Sequence, residues 1–215
     1  MRAVLFDFDG TLADTAPDLG YALNLQRRRH GLEPLPDATI RPYASHGTHG
    51  LLKIGFDLMP GQAEFAEMRS EYLALYESVF CRQPALFDGV AEVLQEIEQM
   101  GLHWGVVTNK PARFTLPLME RLGLGKRAAC VVSGDDCTRP KPYPDTLLLA
   151  AEQIGAASRD TVYVGDAKRD IEAGRAAGMS TVVVRYGYLG VDDRPEEWGA
   201  QHIIAVPAEL LPLLR

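Results

Sequence analysis

From Asp88 to Val184 the sequence keeps returning to one alternation, an amphipathic stripe followed by a short apolar run. Asp88 is placed to cap a helix whose Val90, Val93, Leu94 and Ile97 make one apolar stripe, with Gly101 as its stop. His103 to Val107 then reads as a strand, Pro111 to Leu122 as a helix and Ala129 to Val132 as a strand. Pro144 to Ile154 is a helix, Thr161 to Val164 a strand, Lys168 to Ala177 a helix ended by Gly178, and Thr181 to Val184 a strand. Strands spaced by helices of this length pair in parallel, because each connection must cross back over the sheet, so helices cover both faces.

The run Ala3 to Phe6 is too short to bury itself and must join that sheet. Between about Pro17 and Phe80 no strand pattern occurs, and Phe65, Met68, Tyr72, Leu75, Tyr76 and Val79 fall at helical spacing. The first helix of this stretch begins near Thr15 and Pro17. It runs to the cluster Arg27, Arg28, Arg29 and His30, whose charges suit a helix C-terminus, before Gly31. The expected architecture is α/β: a Rossmann-like parallel-sheet core from residues 1–14 and 83–215, interrupted after its first strand by an all-helical segment over 15–82.

A chain of 215 residues with 47% hydrophobic composition can build such a core. Its formal charge of -7, with basic residues scattered, offers no footprint for nucleic acid. No stretch approaches the roughly 18 apolar residues of a membrane span, and the N-terminal apolar run is too short for a signal peptide. The expected location is the cytoplasm. Cys81, Cys130 and Cys137 lack paired metal-site spacing and read as buried or incidental thiols.

In open parallel sheets ligands bind beyond the carboxyl ends of the strands. The first strand ends in Asp7-Phe8-Asp9-Gly10, where alternation sends both carboxylates to one side and Phe6 and Phe8 to the other. Two like charges so close call for a cation such as Mg2+, for an acid paired with a nucleophile, or for both. Further polar clusters follow at Thr108-Asn109-Lys110, at Lys141 between Pro140 and Pro142, and at Gly165-Asp166 with Asp170. Singly, each has a plainer reading: an aspartate turn, a helix cap at Thr108 and Asn109, a solvent lysine, a capping residue and a helix-surface acid. Together the carboxylates exceed what a pocket holds without a cation, and Lys141 is there to meet an anion.

The order Asp7-Phe8-Asp9-Gly10-Thr11, Thr108-Asn109, Lys141 and Gly165-Asp166 with Asp170 resembles the four motifs of the haloacid dehalogenase superfamily of phosphatases, whose cap domain the helical segment is similar to. The resemblance implies that Asp7 is the nucleophile and takes the phosphoryl group as an aspartyl phosphate. Asp9 would be the general acid toward the leaving alcohol and then the base that activates water. Mg2+ would be held by Asp7, the main-chain carbonyl of Asp9 and Asp166, with Asp170 in support. Thr108, Asn109 and Lys141 would bind the phosphoryl oxygens. Asp9 and Asp166 argue against the carbon-attacking dehalogenase branch, which needs neither metal nor a second aspartate. Ala167 departs from relatives that carry a small hydroxyl residue there.

The substrate of such a protein is a small phosphorylated metabolite, and its selection falls to the cap. Ile40-Arg41-Pro42-Tyr43-Ala44-Ser45-His46-Gly47 is the most polar, least helical piece of the insertion, so Arg41, Ser45, His46 and Gly47 are the specificity candidates. The Arg41 fork matches a substrate carboxylate, although a surface arginine beside a proline turn reads equally well. His46 and His49 lack the companion ligands of a metal site. Phe87-Asp88-Gly89, the run Trp104 to Pro111 and Trp198-Gly199-Ala200 resemble the bacterial phosphoglycolate phosphatase branch, and within it enzymes acting on N-acetylmuramic acid 6-phosphate. The alternatives are a sugar-phosphate mutase of the same superfamily, separated by whether isomerised sugar phosphate or inorganic phosphate forms, and a non-catalytic module that retains the fold.

Overall fold

The computed structural model describes residues 1–215. In chain order the elements are β1 (Ala3–Phe6), β2 (Ala13–Asp14), α1 (Ala16–Arg29), α2 (Asp37–Ile40), a 3-10 turn (Arg41–His46), α3 (Gly47–Phe56), α4 (Phe65–Val79), β3 (Ala85–Leu86), α5 (Val90–Gln99), β4 (His103–Val107), α6 (Ala112–Arg121), β5 (Cys130–Val132), α7 (Asp145–Ile154), β6 (Thr161–Gly165), α8 (Lys168–Ala176), β7 (Ser180–Val184) and β8 (His202–Ile204). Six strands form one parallel sheet in the order β5-β4-β1-β6-β7-β8. The α/β expectation therefore stands.

β1 lies at the centre because it is apolar on both faces. Val4 and Phe6 join a cluster with α5, α6 and the C-terminal turn Pro207–Leu214, and Leu5 points the opposite way into a cluster with α7 and α8. From β1 the chain builds outward to β4 and β5 on one side, then returns to build β6, β7 and β8 on the other. That reversal opens a crevice at the carboxyl ends of β1, β4 and β6.

Two strand features differ from the sequence reading. A two-stranded antiparallel ribbon pairs Ala13 with Leu86 and Asp14 with Ala85, framing the segment that contains α1 to α4. The sheet also gains the edge strand β8, paired with β7. The two-residue runs carry no readable periodicity and β8 follows no helical stripe, so only their partners reveal them. Asp88 does not cap α5 either: Gly89 occupies the cap position in a left-handed conformation, with no side-chain cap bond.

The helices between β2 and β3 pack on an apolar cluster of their own, with Leu19, Leu23, Leu51, Leu52 and Tyr72 at its centre. Phe114 of α6 and Tyr188 of the core reach into the same cluster, which seats the helical segment over the strand ends. No helix is long and apolar enough to cross a membrane.

Candidate active site

The β1 register sets the site. Phe6 pairs with Val106 on one side and Val164 on the other, so the next residue, Asp7, emerges between the ends of β4 and β6. Its amide donates to the Val164 carbonyl at 2.8 Å. The chain then turns back at once: the amides of Leu12 and Ala13 both donate to the Phe8 carbonyl, at 3.1 and 2.9 Å. Gly10 makes this turn at φ +89, and a side chain there would collide with the Asp166 carboxylate. Phe8 drops into the core beside Phe6 while Asp7 and Asp9 line the cavity.

Asp7 is buried, and its Oδ1 accepts the Phe8 amide at 2.7 Å and lies 2.9 Å from Lys141 Nζ. Its Oδ2 has only the Arg169 guanidinium, 4.0 Å away. Lys141 is fully enclosed. Its ammonium lies 2.7 Å from Asp170 Oδ1 and donates to the Val107 carbonyl at 3.0 Å and to the Tyr163 hydroxyl at 2.7 Å. The loop carrying it is clamped by Asn109, whose Nδ2 donates to the Lys141 carbonyl and whose Oδ1 accepts the Lys141 amide, at 2.9 and 3.0 Å. The Asn109 side chain thus holds Lys141 in place, and the residue also lines the cavity. Thr108 is buried and lines the cavity.

Asp166 Oδ2 accepts the Tyr188 amide at 2.9 Å and the Ser45 hydroxyl at 2.6 Å. Its Oδ1 is buried with no partner. Asp170 accepts the Ala167 amide at 3.0 Å, so it caps α8 as well as meeting Lys141, and Ala167 leaves that cap intact. One oxygen each of Asp7, Asp166 and Asp170 fall within 4.8 Å of one another. Burial pushes the Asp7 carboxyl up against the pull of Lys141. It pushes Asp166 up to about 7, with Asp170 and Asp7 adding to the rise. A cluster of hard oxygen donors that holds its charge reluctantly, with one buried oxygen unpartnered, fits a hard divalent cation.

Asp9 points to the same cavity. Its carboxylate accepts the Thr15 hydroxyl and lies 3.0 Å from Lys110 Nζ, so the start of α1 and the end of β4 jointly hold it. The cavity encloses about 580 Å3 between the strand ends and the helical segment. Of the specificity candidates, Ser45, His46 and Gly47 line it. Burial, reinforced by Arg169, lowers the His46 pKa.

Arg41 is the exception. It is absent from the cavity lining, and its guanidinium lies on Asp14, with contacts to both carboxylate oxygens at 2.9 and 3.1 Å, over the Tyr188 ring. Of the two readings of Arg41, this placement favours the surface arginine over the substrate contact, and the side chain braces the 3-10 turn against β2. Because the pair is partly exposed, Arg41→Ala should cost about 1 kcal/mol or less from the ion pair and a similar amount from the ring contact. A denaturation midpoint checks the cost, and substrate preference should stay unchanged.

Lys110, Arg169 and Arg69 also line the cavity, and sequence reasoning gave none of them a role. Arg69 carried a usable signal. It lies four residues after Phe65 and three before Tyr72, a charge on an aromatic stripe where an apolar residue would be ordinary. Lys110 and Arg169 lie next to motif residues but have no pattern that separates them from surface charges.

Residues 4–184 match the family model described as haloacid dehalogenase-like hydrolase. The chain is 43% identical over 214 residues to a Pseudomonas aeruginosa protein named N-acetylmuramic acid 6-phosphate phosphatase, covering 100% of this chain and 95% of that one. It is 42% identical over 209 residues to a Xanthomonas campestris protein named phosphoglycolate phosphatase, covering 97% and 94%. A crystal structure of a predicted phosphoglycolate phosphatase from Haemophilus somnus superposes with a TM-score of 0.86 at 23% identity, over 100% and 98% of the two chains, and shows the shared fold. With these likenesses spanning both the strand-end carboxylates and the helical segment above them, the chain belongs to the haloacid dehalogenase-like hydrolase family.

Proposed function

We propose that the protein is a Mg2+-dependent phosphatase that hydrolyses a small phosphate monoester through an aspartyl phosphate on Asp7. The observation that carries this reading is the convergence of buried Asp7, Lys141 and Asp166 beneath one cavity, with Asp9 beside them. Relatives named for the phosphates of two carboxylic acids support it.

Asp7, Asp166 and the main-chain carbonyl of Asp9 would hold Mg2+, which supplies charge neutralisation to the phosphoryl oxygens. A carboxylate oxygen of Asp7 attacks phosphorus in line with the ester oxygen. The P–O ester bond breaks as Asp9 gives its proton to the departing alcohol, and Asp9 then takes a proton from the water that attacks the aspartyl phosphate. Inorganic phosphate leaves and Asp7 is restored. Lys141 and the Thr108 hydroxyl stabilise the phosphoryl charge, and Asn109 keeps Lys141 aimed. The helical segment 15–82 serves as the cap that excludes water and receives the leaving group. Because Thr15 bonds Asp9, the seating of α1 also sets the position of the general acid.

Purified protein with Mg2+ should release inorganic phosphate from a panel of phosphate esters, and excess chelator should stop it. Undiminished turnover in chelator would overturn the metal assignment. A raised Asp166 pKa makes the metal-free fold bind a proton that the unfolded chain gives up near 3.8. That stabilisation is fully present below 3.8 and is lost as pH rises to about 7. Above that pH the cation meets an ionised Asp166 and displaces no proton. Added Mg2+ should therefore raise the melting temperature more at pH 8 than at pH 6, as differential scanning calorimetry would show.

A further inference from the structure

Four basic side chains line the cavity: Arg69, Lys110, Lys141 and Arg169. Three are matched from within the chain. Lys141 lies against Asp7 and Asp170, Lys110 against Asp9, and Arg169 near Asp7. Arg69 alone has no carboxylate partner in any ion pair of the structure. It belongs to α4, the helix of the cap that also lines the cavity with Tyr72, Leu73 and Tyr76. These residues recur at helical spacing, so Arg69 continues one wall of the cavity by a further turn. The catalytic carboxylates are on the opposite, strand-end wall, so the phosphoryl group and Arg69 face different parts of one substrate.

The aromatic and apolar part of the lining is built by Tyr72 and Tyr76 of that same α4 wall together with Leu19 and Phe114. At about 580 Å3 the cavity is within the roughly 300–1,000 Å3 of sites that enclose drug-sized ligands. The phosphate of a two-carbon acid would leave most of it to water. A ring with one apolar face would cover the aromatic wall, and an anionic substituent on that ring would meet Arg69.

We propose that Arg69 binds a carboxylate on the leaving group, so that the substrate is the phosphate monoester of a sugar-sized carboxylic acid. This rests on the phosphatase reading and deepens it. A guanidinium fork meets a carboxylate through two parallel hydrogen bonds, which makes the contact selective for acid over neutral analogues. The contact is remote from phosphorus and the same in ground and transition states, so it acts on KM rather than kcat.

The test compares N-acetylmuramic acid 6-phosphate with N-acetylglucosamine 6-phosphate, which lacks the lactyl carboxylate, and includes 2-phosphoglycolate. With Mg2+, wild-type protein should favour the acid sugar by about 10- to 100-fold in kcat/KM. Arg69→Gln should erase that preference by raising KM for the acid sugar, with kcat and the neutral sugar little changed. Arg41→Ala should keep the preference. Equal wild-type rates on the two sugars, or equal losses on both in Arg69→Gln, would overturn the Arg69 assignment. A higher kcat/KM for 2-phosphoglycolate than for the acid sugar would overturn the assignment of size. If wild-type protein releases phosphate from no ester, the phosphatase reading itself falls and takes this inference with it.

Discussion

Asp7→Asn is expected to lower phosphate release by roughly 10⁴-fold or more while leaving the fold intact. The amide matches the carboxylate in shape but has no nucleophilic oxygen to form the acyl phosphate. Stability should move the other way. Asp7, Asp166 and Asp170 crowd their oxygens within 4.8 Å, and burial together with the Asp170 charge already raises the Asp7 pKa. Replacing one of three mutually repelling groups relieves the others, and Lys141 keeps Asp170 as its partner at 2.7 Å. In chelator the variant should therefore melt at or above the wild-type temperature. Phosphate release and a thermal melt on one preparation check both halves, and full hydrolysis by a folded Asp7→Asn protein would sink the proposed mechanism.

Lys141→Met should bring the largest loss of stability, about 3–5 kcal/mol at pH 8, together with loss of turnover. The methionine fills much of the same volume, so the cost is electrostatic. Asp7 and Asp170 lose the cation enclosed between them, and the Val107 carbonyl and Tyr163 hydroxyl lose a donor. The carboxylates can answer only by taking up protons, and Asp7 is already shifted upward. The folded pKa of Asp7 rises further above its unfolded value. The variant's stability is then greatest at low pH and declines as pH rises through the folded value. The penalty relative to wild type should accordingly be smaller at pH 5.5 than at pH 8, which urea denaturation at the two pH values measures. An equal penalty at both would show that the loss comes from packing.

Much of the architecture was legible in sequence because it depends on local periodicity. Strand β4 was expected over His103 to Val107 and is found there. Helix α8 was expected over Lys168 to Ala177 and spans Lys168–Ala176. What escaped was short or partner-dependent. β2 and β3 have two residues each, too few for an alternating pattern, and the three-residue β8 lies beyond the last helix–strand alternation that the sequence displays.

The same division runs through the site. Asp7, Thr108, Lys141 and Asp166 were legible because strand ends in a parallel sheet converge wherever the strands are in register. Arg41 and Asn109 show where that legibility ends: a side chain's chemistry states which partners suit it, and only packing decides which partner it meets. Arg41 found Asp14 before any substrate, and Asn109 found the Lys141 backbone before any phosphate.

Residue spacing alone therefore determined the α/β class, the helical interruption after β1 and the acidic residues at the strand ends, since each follows from periodicity along the chain. The tertiary structure alone decided which charges remain free. Ser45 crosses 121 positions of sequence to bond Asp166, and Lys110 crosses 101 to reach Asp9, leaving Arg69 as the cation on the cavity wall without a carboxylate. Charge neutralisation acts through space over a few ångströms, and no spacing in the chain encodes those distances.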